Sequence, residues 1–137
     1  ENWNTYFQTI YDQLKPAGIA VLQVITIDNE RFKAYRKSAD FIQRYIFPGG
    51  FLPSPQALEE AITRNGLRLE CSRFFGSSYA RTCSIWKKQF QLAWEEIEQL
   101  NYDQSFKRMW EYYLSYCEAG FKAKRVDVGI FKIIKPA

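Results

Sequence analysis

The chain has 137 residues, of which 47% are hydrophobic and 25% charged, so we expect one globular domain and exclude a disordered or collagen-like chain. Its net charge of +4, from 19 Lys and Arg against 15 Asp and Glu, permits an anionic partner without requiring one. No apolar run approaches the roughly 20 residues that span a bilayer, and the first residues do not resemble a signal peptide. We therefore expect a soluble, intracellular protein.

Several classes of enzyme are excluded by residue types that the sequence lacks. It contains no His, which removes Ser-His and Cys-His nucleophilic pairs, His-ligated metals and a His proton shuttle. Cys71, Cys83 and Cys117 have no C-x-x-C spacing, which predicts reduced and mostly buried thiols rather than disulfides or a zinc site. The seven glycines form no phosphate-binding loop, so we do not expect this segment to bind a nucleotide by itself.

The first half of the chain alternates helical and extended patterns. Apolar residues at helical spacing predict a helix over residues 5–15. Residues 19–26 are apolar and β-branched, which is typical of a strand covered on both faces. We expect irregular or partly helical structure over residues 28–45 and irregular structure over residues 47–53, where Pro and Gly are frequent. A helix is predicted over residues 54–64.

The second half predicts two strands that flank a pair of helices. Leu67, Leu69 and Cys71 alternate with Arg68, Glu70 and Ser72, which predicts a strand over residues 67–72. Apolar and aromatic residues at steps of three or four predict helices over residues 79–97 and 106–121, which we expect to pair. A last strand is predicted over residues 126–134.

These elements define an α/β fold whose sheet is incomplete. Only three strands are recognisable, and the chain opens on a helix that no strand precedes, whereas a right-handed β-α-β crossover needs both strands. An apolar strand such as residues 19–26 requires neighbours on both sides. We infer that the chain is the carboxy-terminal part of a larger α/β domain, or a polypeptide whose missing half comes from elsewhere.

Two features of the sequence suggest binding. Residues 31–44 interleave basic and aromatic side chains, which suits nucleic acid, anionic lipid headgroups or a merely solvated surface. Gln23 is a lone polar side chain in an apolar strand, and a buried amide without a partner costs about 1–3 kcal/mol. For Gln23, two interpretations stay open: an ordinary buried hydrogen bond, and a contact with a ligand near the carboxyl end of the strand.

Five blocks of sequence closely resemble the carboxy-terminal part of a known enzyme family. In chain order they are YFQTIYDQLKPAGIAVLQVITI, FIQRYIFPGGFLPS, FGSSYARTCSIW, AWEEI and FKRMWEYYLSYCEAGFKAKRVDVG. Over essentially its whole length, the chain is similar to the cyclopropane-fatty-acyl-phospholipid synthases and the related mycolic acid cyclopropane synthases. The resemblance implies that residues 1–137 are the carboxy-terminal part of such a catalytic domain, without the amino-terminal half that binds S-adenosylmethionine.

The family's fold and reaction define what we expect here. The resemblance implies part of a class I Rossmann-like methyltransferase sheet, in which residues 19–26 form the fifth strand, residues 67–74 the sixth and residues 126–134 the antiparallel seventh, with flanking helices. The family transfers a methyl group from S-adenosylmethionine to a cis double bond of a phospholipid acyl chain. The resulting carbocation loses a proton as a cyclopropane ring closes. Some relatives resolve the same cation by simple methyl or methylene addition, and this alternative stays open.

The resemblance also assigns candidate site residues. It implies that a bound bicarbonate accepts the proton, in a pocket formed partly by the Gln23 side chain, the Ile25 backbone and the Tyr79 hydroxyl. Many members carry His where Gln23 stands; Gln can donate to an anion but cannot change its charge. Aromatic faces stabilise cations. The candidate rings, for which core packing is the alternative, are Tyr79, Trp86, Tyr112, Tyr113 and Tyr116.

Two functions of different classes follow. In the first, this chain is a piece of a cytoplasmic methyltransferase that works peripherally at the inner face of the membrane, and the piece alone neither binds S-adenosylmethionine tightly nor turns over. In the second, it is a non-catalytic module that binds anionic lipid or a partner protein, and an uncovered sheet edge favours a homodimer. With the resemblance, we expect neither a nucleic-acid partner nor a metal.

Overall fold

The computed structural model describes residues 2–37 and 39–137, which form two compact units. The first unit combines the chain up to Phe75 with the last segment, Val126–Ala137. The second unit is Gly76–Arg125. The first unit contains all three strands, and the second is helical.

The sheet has the strand order β1-β3-β2, with the last strand in the middle. The strands are β1 (Ile19–Ile27), β2 (Arg68–Phe74) and β3 (Val126–Ile134). β3 is antiparallel to both neighbours. All three predicted strands and the antiparallel orientation of the last one are therefore confirmed.

One face of the sheet forms the core of the first unit. Helices α1 (Trp3–Gln13) and α3 (Pro55–Arg64) contribute to a buried cluster with Phe131 and Ile133 of β3. Gly129 permits this packing, because a Cβ atom there would lie only 2.8 Å from the Phe131 ring and 2.9 Å from the Phe74 ring. These two rings meet edge to face, with their centroids 5.6 Å apart. α1 begins and ends two residues earlier than predicted.

The opposite face of β1 is exposed in this chain. Ile19, Val21 and Ile25 are 51%, 61% and 42% exposed. The expectation of a strand covered on both faces is therefore wrong for the described residues. The side chains of a strand alternate between its two faces, and the buried cluster packs only against the face that carries Ala20, Leu22 and Val24.

A β-bulge in β2 changes the environment of Cys71. The pairing with β3 shifts register between Leu69 and Cys71, so Glu70 is the additional residue. Because a shift of one residue reverses which face a side chain occupies, Cys71 lies opposite Lys132 and is exposed. The expectation of mostly buried thiols is wrong for Cys71, whereas Cys83 is buried and Cys117 is half-buried.

The segment between β1 and α3 is partly helical, as predicted. Asp28 caps helix α2 (Asn29–Tyr35) by accepting a hydrogen bond of 2.8 Å from the backbone N–H of Arg31. A π-helical turn, Ile42–Ile46, follows, and no helix or strand occurs in residues 47–54. This confirms the irregular structure predicted around the two adjacent glycines.

Phe51 is the centre of an aromatic cluster that holds this segment to the first unit. Its ring centroid lies 6.0 Å from that of Trp3, 5.7 Å from that of Phe32 and 5.3 Å from that of Tyr35. The Tyr35 hydroxyl also accepts a hydrogen bond of 3.3 Å from the backbone N–H of Leu52. α1, α2 and the irregular segment are thus joined at one aromatic side chain.

The second unit contains helices α4 (Gly76–Leu92), α5 (Trp94–Glu98) and α6 (Gln104–Lys122). The predicted pairing of the two long helices is confirmed by cross-links between α4 and α6. Lys87 Nζ donates a hydrogen bond of 2.8 Å to Ser115 Oγ, and Gln91 Nε2 donates one of 3.0 Å to Glu111 Oε1. Residue numbers rise on α4 as they fall on α6, so the two helices are antiparallel.

The helix predicted over residues 79–97 is interrupted at Ala93. Trp94, directly after the interruption, is buried, with its ring 5.8 Å from that of Phe90. The Lys107 ammonium lies 5.0 Å from the centroid of the Trp94 ring. Burial of this large ring in an aromatic and cationic environment is the physical reason for the interruption.

We expect Cys71 and Cys83 to differ in their rate of alkylation. Cys71 is exposed, whereas burial raises the pKa of the Cys83 thiol, so its reactive thiolate is both scarce and inaccessible. After brief treatment with iodoacetamide at mildly alkaline pH, peptide mass spectrometry should show at least about tenfold faster modification of Cys71. The Cys71→Ser variant should lose this fast reaction. Equal rates at the two thiols would contradict the bulge and the burial described here.

Lys135 joins the end of β3 to the end of α1, and its loss should destabilise the protein. Lys135 Nζ donates hydrogen bonds of 2.8 and 2.9 Å to the carbonyls of Tyr11 and Leu14, and lies 4.1 Å from the Tyr11 ring centroid. Lys135→Met should lower the free energy of unfolding by about 1–2 kcal/mol, measured by urea titration. Lys88→Met, at an exposed position, should change it by less than about 0.5 kcal/mol. Equal effects of the two substitutions on the free energy of unfolding would exclude this stabilising role of Lys135.

Candidate functional site

Gln23 and Ile25 lie on the exposed face of β1. They are two residues apart, so their side chains share a face, and they pair with Ile130 and Val128 of β3. Gln23 is exposed rather than buried. The cost of burying an unsatisfied amide therefore does not apply to it, and that part of the sequence interpretation is wrong. A ligand contact at Gln23 stays a prediction.

The backbone of Ile25 points toward the edge of β1 that β3 does not occupy. The N–H of Ile27 donates a hydrogen bond of 2.9 Å to the Pro53 carbonyl rather than to β3. At the other end of the strand, the Gly18 carbonyl accepts a bond of 3.0 Å from Lys135. Because the peptide groups of alternate residues point to the same edge of a strand, the N–H of Ile25 points the same way as that of Ile27.

The Gln23 side-chain amide and the Ile25 backbone N–H are donors that suit a small anion. The Gln23 amide can donate hydrogen bonds from the exposed face, and the Ile25 N–H donates in the plane of the sheet at its open edge. The described residues of β1 thus fit a bicarbonate ion on its chemistry, although Gln23 cannot accept the proton as a base.

Arg73 is a further candidate that the sequence analysis did not single out. It pairs with Ile130, which also pairs with Gln23, so the three residues form one row across the exposed face. Neighbouring strands are roughly 4.8 Å apart, which separates the Cα atoms of Arg73 and Gln23 by about 10 Å. The guanidinium adds positive charge to the face that carries the Gln23 amide. The strand register, which the sequence did not reveal, is the signal that identifies it.

Tyr79 lies in the first turn of α4, in the second unit. It is half-buried, and its ring centroid is 5.6 Å from that of Phe121 on α6. This contact supports the core-packing alternative for the ring without assigning a role to the hydroxyl. Gln23 and Ile25 belong to the first unit, so a pocket shared with Tyr79 stays a prediction.

The other candidate rings occupy two environments. Trp86, Tyr112 and Tyr116 are exposed, and the last two lie one helical turn apart on α6 with their ring centroids 6.0 Å from each other. Tyr113 is half-buried and points about 100° away from Tyr112 around the helix axis. Burial, followed by the neighbouring Cys117 and then Cys83, raises the pKa of Tyr113 to about 12. Tyr113 therefore differs from the other three rings in its exposure to solvent.

The sequence analysis missed the polar network that orders the π-helical turn. The Asp40 N–H donates to Gln43 Oε1, and the Gln43 N–H donates to Asp40 Oδ1, both over 2.9 Å. Gln43 Nε2 also donates a bond of 3.0 Å to the Gly50 carbonyl. The reciprocal pair is a capping box, and its D-x-x-Q spacing was the available signal.

Residues 2–37 and 39–137 contain neither a cluster suited to a metal ion nor a helix suited to span a membrane. Within these ranges, no three or more Cys, Asp or Glu side chains are grouped so that they could hold a metal ion. None of the helices in the same part of the chain combines the length and apolar character needed to cross a membrane.

Residues 1–131 match the family model described as mycolic acid cyclopropane synthetase. The chain is 36% identical over 135 residues to the tuberculostearic acid methyltransferase UfaA1 of Mycobacterium tuberculosis. It is 34% identical over 134 residues to the cyclopropane-fatty-acyl-phospholipid synthase of Escherichia coli K12. Each alignment covers 98% of this chain but only 32% and 33% of the respective relative.

Solved structures share the fold of this chain. The cyclopropane synthase MmaA2 from Mycobacterium tuberculosis matches with a TM-score of 0.87 and 24% identity. The mycolic acid cyclopropane synthase CmaA1, solved with SAH and CTAB, matches with a TM-score of 0.87 and 23% identity. Both alignments cover 98% of this chain and 50% of the solved chain. They confirm that this α/β fold corresponds to part of a methyltransferase structure.

The chain thus spans about a third of the length of the curated relatives and half of the solved structures. The family model covers nearly all of its residues. The chain belongs to the mycolic acid cyclopropane synthetase family.

Proposed function

We propose that this chain is the carboxy-terminal part of the catalytic domain of an S-adenosylmethionine-dependent methyltransferase that modifies the cis double bond of an unsaturated phospholipid acyl chain. The observation that carries the proposal is the family match over residues 1–131. The Escherichia coli relative, named as a cyclopropane-fatty-acyl-phospholipid synthase, supports this choice of substrate. The peripheral, cytoplasmic location belongs to the same proposal.

The binding of S-adenosylmethionine is assigned mainly to residues outside this chain. The cofactor supplies an electrophilic methyl group on a sulfonium, and the family resemblance places the residues that bind it in the amino-terminal half of the catalytic domain. The isolated chain should therefore neither bind it tightly nor turn over. Micromolar binding to the isolated chain in a calorimeter would contradict this division.

The reaction places two demands on the protein. A new bond forms between the methyl carbon and one alkene carbon as the C–S bond breaks, which leaves positive charge on the neighbouring carbon. Because an alkene is a poor nucleophile, alignment of the reactants and exclusion of water must supply much of the rate. The faces of Trp86, Tyr112 and Tyr116 remain accessible to an acyl chain, and a desolvated ring stabilises a cation by up to roughly 2 kcal/mol.

Loss of a proton from the transferred carbon closes the ring. In the proposed site, bicarbonate accepts this proton, and the Gln23 amide, the Ile25 N–H and the Tyr79 hydroxyl hold the anion by donating hydrogen bonds. The positive charge of Arg73, in the same row as Gln23, favours the anion electrostatically. None of these groups needs to change its protonation state.

Methyl addition without ring closure is the second candidate. It is favoured by the 36% identity to UfaA1, a relative named as a methyltransferase, against 34% to the relative named as a cyclopropane synthase. The two outcomes share the same cation. Loss of a proton without ring closure leaves a methylene group or an alkene, and a saturated methyl branch then requires two electrons and two protons, supplied as a hydride from a separate donor and a proton. The products distinguish them.

The first test is an assay of the longer protein with S-adenosylmethionine and unsaturated phospholipid, beside the 137-residue chain. Only the longer protein should add the mass of one CH2 group to each modified acyl chain, and proton NMR would separate a ring from a methylene group. A saturated methyl branch would instead add the mass of CH4. Cofactor that is bound but never consumed in the presence of several unsaturated lipids would exclude an acyl alkene as substrate.

The bicarbonate site predicts a particular kinetic defect. Gln23→Leu and Tyr79→Phe in the longer protein should each lower turnover by at least about tenfold, because each removes a donor to the anion. Both variants should also need more bicarbonate for half-maximal rate, which a purely structural defect would not produce. Tyr102→Phe, at an exposed tyrosine of the second unit, is the matched control. An unchanged bicarbonate requirement in both variants would remove these residues from the site.

The raised pKa of Tyr113 predicts a loss of stability at alkaline pH. The folded state keeps the phenol protonated up to about pH 12, whereas an unfolded Tyr ionises near pH 10. The contribution of Tyr113 to the free energy of unfolding should therefore be complete below about pH 10 and disappear as the pH rises toward 12. Urea titrations across this window should show a smaller decrease in the free energy of unfolding for Tyr113→Phe than for the parent. Equal decreases in the two proteins would show that the ionisation of another group causes the loss of stability.

A further inference from the structure

The segment that follows β1 has an excess of positive charge over residues 31–47. These residues contain five Lys or Arg and one acidic residue, Asp40, whereas Asp28 and Glu30 lie before them at the start of the segment. Lys33, Lys37 and Arg44 are exposed to solvent. The Asp40 carboxylate accepts the hydrogen bond from the Gln43 backbone, so it is engaged within the segment.

Two large rings are exposed beside these cations. Tyr45 is 62% exposed and Phe47 is 56% exposed, directly after Arg44 and at the end of the π-helical turn. The chain then turns through Pro48 and Gly49, whose φ of +79° is a conformation that favours glycine. Exposed aromatic rings next to basic residues are typical of a surface that contacts the membrane interface.

The segment is held in place, so the exposure of these rings does not result from local disorder. Gln43 links the π-helical turn to the Gly50 carbonyl, and Tyr35 links α2 to the N–H of Leu52. Phe51, between these two bonds, contacts the rings of α1 and α2. The exposed rings are therefore presented by a structured backbone, which lowers the entropy lost on binding.

We propose that Lys33, Lys37, Arg44, Tyr45 and Phe47 form a docking surface for anionic phospholipid bilayers. The three cations complement headgroup phosphates, and the two rings enter the boundary between headgroups and acyl chains. The choice of this occupant rests on the proposed function, because a phospholipid substrate is reached at a bilayer surface. The residues that carry the surface are separate from the candidate catalytic residues.

The position of the docking surface explains how it would serve the reaction. β1 ends at Ile27, and the segment begins at Asp28, three residues after Ile25. Three residues of extended chain span roughly 10 Å. The segment that carries the docking surface therefore begins at the end of the strand that carries Gln23 and Ile25.

The test measures sedimentation of the 137-residue chain with vesicles, without S-adenosylmethionine. One set of vesicles is pure phosphatidylcholine, and the other is an equimolar mixture with phosphatidylglycerol. The chain should prefer the anionic vesicles, and the preference should weaken as salt is added. Lys33→Gln, Lys37→Gln and Arg44→Gln combined should weaken binding to them by at least about 30-fold. The matched control, Arg81→Gln, Lys88→Gln and Arg108→Gln, removes the same charge from exposed positions of the second unit and should weaken it by less than about threefold.

A second pair of changes tests the rings. Tyr45→Ser and Phe47→Ser combined should weaken vesicle binding by about tenfold, and this loss should persist at high salt because it is hydrophobic. Circular dichroism checks that each variant is folded. Equal binding to both kinds of vesicle, or equal losses in the two triple variants, would overturn the proposal. Tighter binding to a single-stranded oligonucleotide, lost in the first triple variant, would assign the surface to nucleic acid instead.

The test of the docking surface can be separated from the test of the proposed function. Vesicle binding needs neither S-adenosylmethionine nor turnover, and the longer protein can be assayed on phospholipid dispersed in detergent. Activity on dispersed lipid without vesicle docking would overturn the docking surface alone. Docking without activity in either form would overturn the proposed function alone.

Discussion

The antiparallel pairing of β3 with both other strands is the interaction on which the first unit depends. β1 and β2 do not pair with each other, so β3 alone sets their register. This register places Gln23, Ile130 and Arg73 in one row and brings Lys135 to the end of α1. The last strand of the chain thus determines which residues of two earlier segments become neighbours. Local sequence cannot encode such a row, because its members are far apart along the chain.

The alternation of β1 separates a structural face from a face available for chemistry. Ala20, Leu22 and Val24 pack on the buried cluster, whereas Gln23 and Ile25 remain on the exposed face. The peptide groups of the odd-numbered residues point to the edge that β3 leaves open. An apolar exposed face and an open edge on one strand are what a piece of a wider sheet would present. The same openness gives an anion access to the donors of residues 23–25.

The sequence predicted the elements well and their local irregularities poorly. Periodicity and the Pro and Gly positions gave all three strands and the paired helices, because these signals are local. The bulge at Glu70 and the break at Ala93 depend on cross-strand pairing and on the burial of Trp94, which are tertiary effects. Gln23 was misassigned to the interior because its apolar neighbours were assumed to be covered on both faces. The pairing of residues 23, 130 and 73 required the register itself.

Gln23 limits the chemistry that β1 can perform and makes the rest of the site more important. An amide donates hydrogen bonds over the whole range of pH in which the protein is folded, but it accepts no proton as a base. If a proton leaves the substrate beside this strand, it must go to a bound group rather than to the chain. In the proposed site, the Gln23 amide and the Ile25 N–H would hold that group as donors, and Arg73, with its Cα about 10 Å from that of Gln23, would add positive charge. Under this proposal the strand binds and orients an anion, and the fixed protonation of Gln23 is an advantage because the affinity of the site does not vary with titration of that residue.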